Sequence, residues 1–105
     1  MKTEDFDINY ALLSIQRALL DEVTPNLRAV SVDLIPEKKE GSIRFFYDGE
    51  ISKKDLDIAS CIITEMTADF SDDYQFDEQI ERLDAPAKIP VKEGHLAFLR
   101  NESEG

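Results

Sequence analysis

The chain has 105 residues, which fits a single domain, and 42% of them are hydrophobic, a fraction typical of globular proteins. Twelve Lys and Arg stand against 23 Asp and Glu, so the formal net charge is -11. This charge argues against binding to nucleic acid or to an anionic membrane, because both are polyanions, and it favours a cationic partner.

The sequence is typical of a cytoplasmic protein. No segment is long and apolar enough to span a bilayer, and residues 1–9 are acidic where a signal peptide is basic and then apolar. The single cysteine, Cys61, does not suggest the disulfide framework of a small secreted domain. We expect residues 1–105 to form one domain, with a core from about residue 6 to residue 100 and a tail at 101–105.

The first predicted element is a helix that begins after Asp7, a suitable N-cap, and ends before Pro25. Its apolar side chains recur at helical spacing and form one stripe: Ile8, Ala11, Leu12, Ile15, Leu19 and Val23. Two segments with alternating apolar and polar residues follow, at 26–35 and 42–48, on either side of a polar turn. They predict a hairpin.

A second helix is predicted after Ser52, which forms a capping-box pattern with Asp55. Its apolar face holds Leu56, Ala59, Ile63, Met66 and Phe70. Residues 74–83 predict a third strand and residues 95–100 a fourth, joined by a connection that Pro86 and Pro90 hold open. The fourth strand is apolar on both faces.

The predicted order of elements is α-β-β-α-β-β, which indicates an α+β fold. We expect a two-layer sandwich in which both helices cover one face of a four-stranded, mostly antiparallel sheet. This order is a circular permutation of the ferredoxin-like plan, which places the second and fourth strands in the sheet interior. A simple meander is the alternative.

No residue pattern in the chain predicts catalysis, a metal site or a cofactor. His95 and Cys61 are the only histidine and cysteine, and neither has a partner that the sequence reveals. Glycine-rich phosphate loops and calcium-loop spacing are absent. We therefore predict a protein that is not an enzyme and has no cofactor.

The most acidic segment is residues 69–84, where seven acidic residues stand against one base, Arg82. One interpretation is a solvated loop and an edge strand that its charge protects from pairing. The other is an anionic docking surface for a basic partner. Its candidate contact residues are Asp69, Asp72, Asp73, Asp77 and Glu81.

Phe46 is the outward-facing aromatic residue of the second predicted strand. If both helices cover one face of the sheet, Phe46 lies on the open face among polar residues, as an interface anchor does. Alternatively, neighbouring residues of the same fold cover Phe46, or a second copy of the chain covers it in a homodimer formed through the open face. The chain is compatible with either a monomer or a dimer.

Two stretches, "ALLSIQRALLDEVTPNLRAVSV" and "FFYDGEISKKDLDIASCIITEMTADF", resemble small bacterial immunity proteins of polymorphic toxin systems, including contact-dependent growth inhibition. The likeness covers roughly residues 9–83. It implies an antidote that binds and blocks a toxin domain, often a nuclease, and it implies no particular site. An acidic inhibitor would complement a basic nuclease. The alternative function is an acidic adaptor or regulatory subunit, dimeric through the open sheet face.

Overall fold

A computed structural model describes residues 7–20, 22–91 and 95–100. It contains helices α1 (Ile8–Ala18) and α2 (Lys53–Thr67) and strands β1 (Leu27–Ile35), β2 (Glu40–Tyr47), β3 (Gln75–Arg82) and β4 (Leu96–Leu99). A 3-10 turn, Pro36–Lys38, joins β1 to β2. This order confirms the predicted α+β class and the α-β-β-α-β-β succession. The predicted tail at 101–105 lies outside the described residues.

The strand order in the sheet is β3-β2-β1-β4. Strand β1 runs antiparallel to β2 and to β4, whereas β2 and β3 are parallel because α2 carries the chain back between them. The prediction that the fourth strand lies inside the sheet is wrong, and so is the meander. Strand β4 is an edge strand, and the sheet therefore does not have the permuted ferredoxin-like strand order.

The main core lies between the helices and one face of the sheet. Alternate residues of the two central strands, among them Val30, Val32, Ile43 and Phe45, point towards the helices and are at most 1% exposed. The helices contribute the predicted stripe residues Ala11 and Ile15 from α1 and a matching set from α2, made of Ala59, Ile62, Ile63 and Met66. The apolar periodicity therefore predicts most of this layer, but Leu56 of the second predicted helix face is 44% exposed, and Val23 of the first stripe lies beyond α1 and is 42% exposed.

The connection between β3 and β4 covers the opposite face of the sheet. Ala29 and Phe46 are neighbours in the β1–β2 register, and both are 0% exposed although neither belongs to the core beneath the helices. Buried Arg28 donates hydrogen bonds to the carbonyl oxygens of Leu83 (2.6 Å) and Ala87 (2.9 Å). The expectation of an open face is wrong, because the chain has to cross the sheet to reach β4 at its other edge.

Both helices begin at the caps that the sequence predicts. The Asp7 carboxylate accepts a hydrogen bond from the Tyr10 amide, and Ser52 and Asp55 form a reciprocal capping box with two 3.0 Å bonds. Asn26 donates a further bond of 2.7 Å to Asp55, which ties α2 to the loop before β1. Burial raises the pKa of Asp55, but the bonds from Asn26 and Ser52 outweigh it and hold the pKa below its ordinary value.

Candidate partner-binding surface

The five predicted acidic contact residues lie on one side of the fold, along β3 and the loop before it. We call Asp69, Asp72, Asp73, Asp77 and Glu81 the β3 acidic surface. Asp77 and Glu81 lie on the same face of β3, beside Ser42 and Phe46 of β2. Because this is the face opposite the helical core, both side chains point away from the helices. The other three carboxylates lie between α2 and β3.

Three of the five carboxylates have partners within the protein. Asp69 accepts a hydrogen bond from the Ser14 hydroxyl and thereby joins the end of α2 to α1. Asp73 pairs with Lys39, and Glu81 accepts two 3.1 Å bonds from the Arg44 guanidinium. The hydrogen bond from Lys39, with a second from a neighbouring serine, lowers the pKa of Asp73 to about 2.

Asp72 and Asp77 are exposed, and neither forms an ion pair within the part of the chain that the structure describes. Asp77 accepts one hydrogen bond, from the side-chain amide of Gln79 at 3.1 Å. Glu78, the next residue on β3, is exposed as well. The exposed negative charge without a cationic partner on the β3 acidic surface therefore lies on Asp72 and Asp77, with Glu78 beside them, whereas Asp69 is half-buried and bonded to a neutral hydroxyl.

Phe46 does not belong to this surface. Its ring is 0% exposed, and the Arg44 guanidinium lies 4.9 Å from the ring centroid while it pairs with Glu81. The prediction that Phe46 lies exposed on an open sheet face is wrong. Alternation along β2 identifies the face on which Phe46 lies, but it does not reveal that Arg44 packs over the ring or that this face is covered.

An aromatic groove next to the β3 acidic surface is the feature that the sequence analysis missed. It has a volume of about 480 Å³ and lies between the end of α2 and the start of β3. Phe70, Tyr74 and Phe76 line it together with Asp72, and neighbouring ring centroids are 5.1 to 6.0 Å apart. The sequence places Phe70 on the apolar face of the second helix, but it does not reveal that Phe70 meets Tyr74 and Phe76 at the surface.

His95 and Cys61 lie on different elements. Cys61 is exposed on α2, whereas His95 precedes β4, with Nδ1 at 3.2 Å from the carbonyl oxygen of Val32 and 3.3 Å from the Asp33 carboxylate. Among the described residues, no group of three or more His, Cys, Asp or Glu side chains is arranged to hold a metal ion. The same residues include no helix that is long and apolar enough to cross a membrane.

A family model described as MafI2 immunity protein matches residues 8–102, a range that contains both helices and all four strands. The chain belongs to the MafI2 immunity protein family. This match confirms the resemblance to small bacterial immunity proteins. A comparison with curated proteins found no match. Membership of the MafI2 family gives the molecule a role in immunity to a toxin and implies a cognate toxin as its partner.

Proposed function

We propose that this chain neutralises its cognate toxin by binding the toxin domain through the β3 acidic surface. The observation that carries the proposal is the pair of exposed carboxylates, Asp72 and Asp77, which lack a cationic partner in the described chain. A cationic partner would supply the missing counter-charge. The net charge of -11 adds a long-range attraction that steers such a partner towards the domain.

We further propose that the toxin is a nuclease. A protein that binds nucleic acid carries a basic surface, because it has to neutralise phosphates. An acidic inhibitor presents the same sign of charge as the nucleic acid and can therefore occupy that basic surface in its place. We expect the toxin to be blocked in the cytoplasm. Delivery by contact-dependent growth inhibition stays a prediction.

The paired members of the β3 acidic surface contribute differently from Asp72 and Asp77. Asp73 and Glu81 are partly neutralised by Lys39 and Arg44, so a toxin cation has to compete with a partner already in place. Asp69 is committed to Ser14 and supports the shape of the loop. We therefore expect Asp72 and Asp77 to contribute most of the electrostatic attraction.

No observation favours the alternative function, an acidic adaptor that dimerises through the open sheet face. That function depends on an exposed apolar face, and Ala29 and Phe46 are both 0% exposed. The connection held by Arg28 occupies the place of the dimer partner.

The test is an activity titration with the cognate toxin domain, captured by pull-down with this chain and identified by mass spectrometry. The purified domain is assayed on RNA and on DNA while this chain is added in increasing amounts. Stoichiometric binding predicts that cleavage stops near one equivalent, without change to the covalent structure of the toxin by mass spectrometry. Full inhibition at a small fraction of an equivalent would indicate catalysis and overturn the proposal. Toxicity without cleavage of either nucleic acid would overturn the nuclease assignment alone.

A further inference from the structure

One edge of the sheet is long and uncovered within the described residues. Strand β3 forms this edge over eight residues, whereas β4 forms the opposite edge with four. Five of the eight β3 residues are exposed: Asp77, Glu78 and Gln79 in succession, and Gln75 and Arg82 at the two ends of the strand. An exposed edge strand presents unpaired backbone groups that another chain can join.

The pairing with β2 fixes which backbone groups of β3 point outward. The amides of Gln75 and, just after the strand, Leu83 donate to carbonyl oxygens at Lys39 and Tyr47, and the parallel register between them has no shift. Odd-numbered residues of β3 therefore direct their N–H and C=O groups at β2. The even-numbered residues, Phe76, Glu78, Ile80 and Arg82, direct theirs away from the sheet, and none of these groups has a hydrogen bond in the described structure.

The charges along this edge select the partner. If two copies of the chain paired through β3, Asp77, Glu78 and Glu81 of each copy would lie beside those of the other, and like charges on neighbouring strands are destabilising. A strand that carries Lys or Arg would instead meet Asp77 on one face of the sheet and Glu78 on the other. The aromatic groove, which Phe76 and Asp72 line, extends the same edge and suits the aliphatic stem and cationic head of such a side chain.

We propose that the toxin domain binds by adding a strand rich in Lys or Arg to the free edge of β3. This inference rests on the proposed function and specifies its geometry. Backbone hydrogen bonds to the even-numbered residues hold the incoming strand in register, and the alternating carboxylates select its cationic side chains.

Amide hydrogen exchange, measured by NMR with and without the purified toxin domain, tests the geometry. In the free chain, the amides of Asp77, Gln79 and Glu81 are protected by β2, whereas those of Glu78, Ile80 and Arg82 exchange quickly. Strand addition protects the amides of Glu78, Ile80 and Arg82 as well, so that protection no longer alternates along β3. If the toxin binds but these three amides stay unprotected, strand addition is overturned and the proposed function stands. If the unmodified chain does not bind the toxin, both strand addition and the proposed function are overturned.

Two variants at position 78 separate the contribution of the backbone N–H to toxin binding from that of the side-chain charge. Glu78→Pro removes an outward N–H without touching the β2 ladder, which an edge strand tolerates. Glu78→Gln removes the same charge and keeps the N–H. We expect the proline variant to bind the toxin roughly tenfold more weakly than the glutamine variant. Equal affinities of the two folded variants would overturn strand addition, and the exchange experiment decides the matter if the proline variant does not fold.

Discussion

The burial of Phe46 predicts that its truncation unfolds the protein before it affects binding. The ring is 0% exposed, and removal of a buried phenylalanine side chain costs about 3 to 5 kcal/mol. The Arg44 guanidinium lies 4.9 Å from the ring centroid, and this long side chain can partly fill the space. We therefore expect Phe46→Ala to lower the free energy of unfolding by about 3 kcal/mol, near the bottom of that range.

This loss is large for a domain of 105 residues, whose total stability falls in a range of about 5 to 15 kcal/mol. It corresponds to a fall in melting temperature of roughly 10 to 20 °C. Urea unfolding followed by circular dichroism measures the change. Leu20→Ala is the control, because Leu20 is 70% exposed, and we expect it to change stability by less than about 0.5 kcal/mol.

Toxin affinity provides the second half of this prediction. Phe46→Leu keeps most of the buried volume, so it remains folded at low temperature and should bind the toxin domain within about twofold of the unmodified chain. A Phe46→Ala variant that loses less than about 1 kcal/mol of stability but no longer binds would refute the argument. It would show that Phe46 is a contact residue and not part of the core.

Three further changes test the fold and the site. Asp55→Asn should cost about 1 to 2 kcal/mol near pH 7. Because the folded pKa of Asp55 lies below its ordinary value, this difference from the unmodified protein should begin to shrink as the pH falls below about 4 and disappear only below the folded pKa, as urea titrations at several pH values would show. Arg28→Met removes two hydrogen bonds to the connection between β3 and β4, so it should cost about 2 to 4 kcal/mol and accelerate amide exchange over residues 84–91. Unchanged exchange would show that Arg28 does not hold the connection in place. Cys61→Ser combined with His95→Asn should leave toxin inhibition intact, and a folded double variant that fails to inhibit would show that one of the two contributes.

The sequence predicted those features that depend on near neighbours in the chain. The Asp7 cap and the Ser52–Asp55 capping box form within three residues, and both are present. The position of β4 in the sheet depends instead on which strands pair. Apolar residues on both faces of β4 do not reveal its pairing partner. Ala97 and Phe98 pack against the core, whereas Leu99 is 55% exposed at the edge.

The candidate site shows the same division between local and distant information. The acidic segment was evident from composition, but its ion pairs were not. Lys39 reaches Asp73, and Arg44 reaches Glu81, only because β2 and β3 lie side by side in one particular parallel register. The distinction between neutralised and free carboxylates therefore required the three-dimensional structure.

The salt dependence of toxin affinity tests the central claim most directly. Asp72→Asn with Asp77→Asn removes two exposed charges that have no cationic partner from the β3 acidic surface. Glu22→Gln with Glu65→Gln removes two exposed charges elsewhere as a matched control, because neither forms an ion pair in the described part of the chain. Titration calorimetry with the toxin domain at several salt concentrations compares both with the unmodified chain. We predict that the first pair weakens binding at low salt and flattens the salt dependence, because screening then has less attraction to remove, while the control stays close to the unmodified chain. Equal affinity and equal salt dependence for all three proteins would contradict binding through this surface.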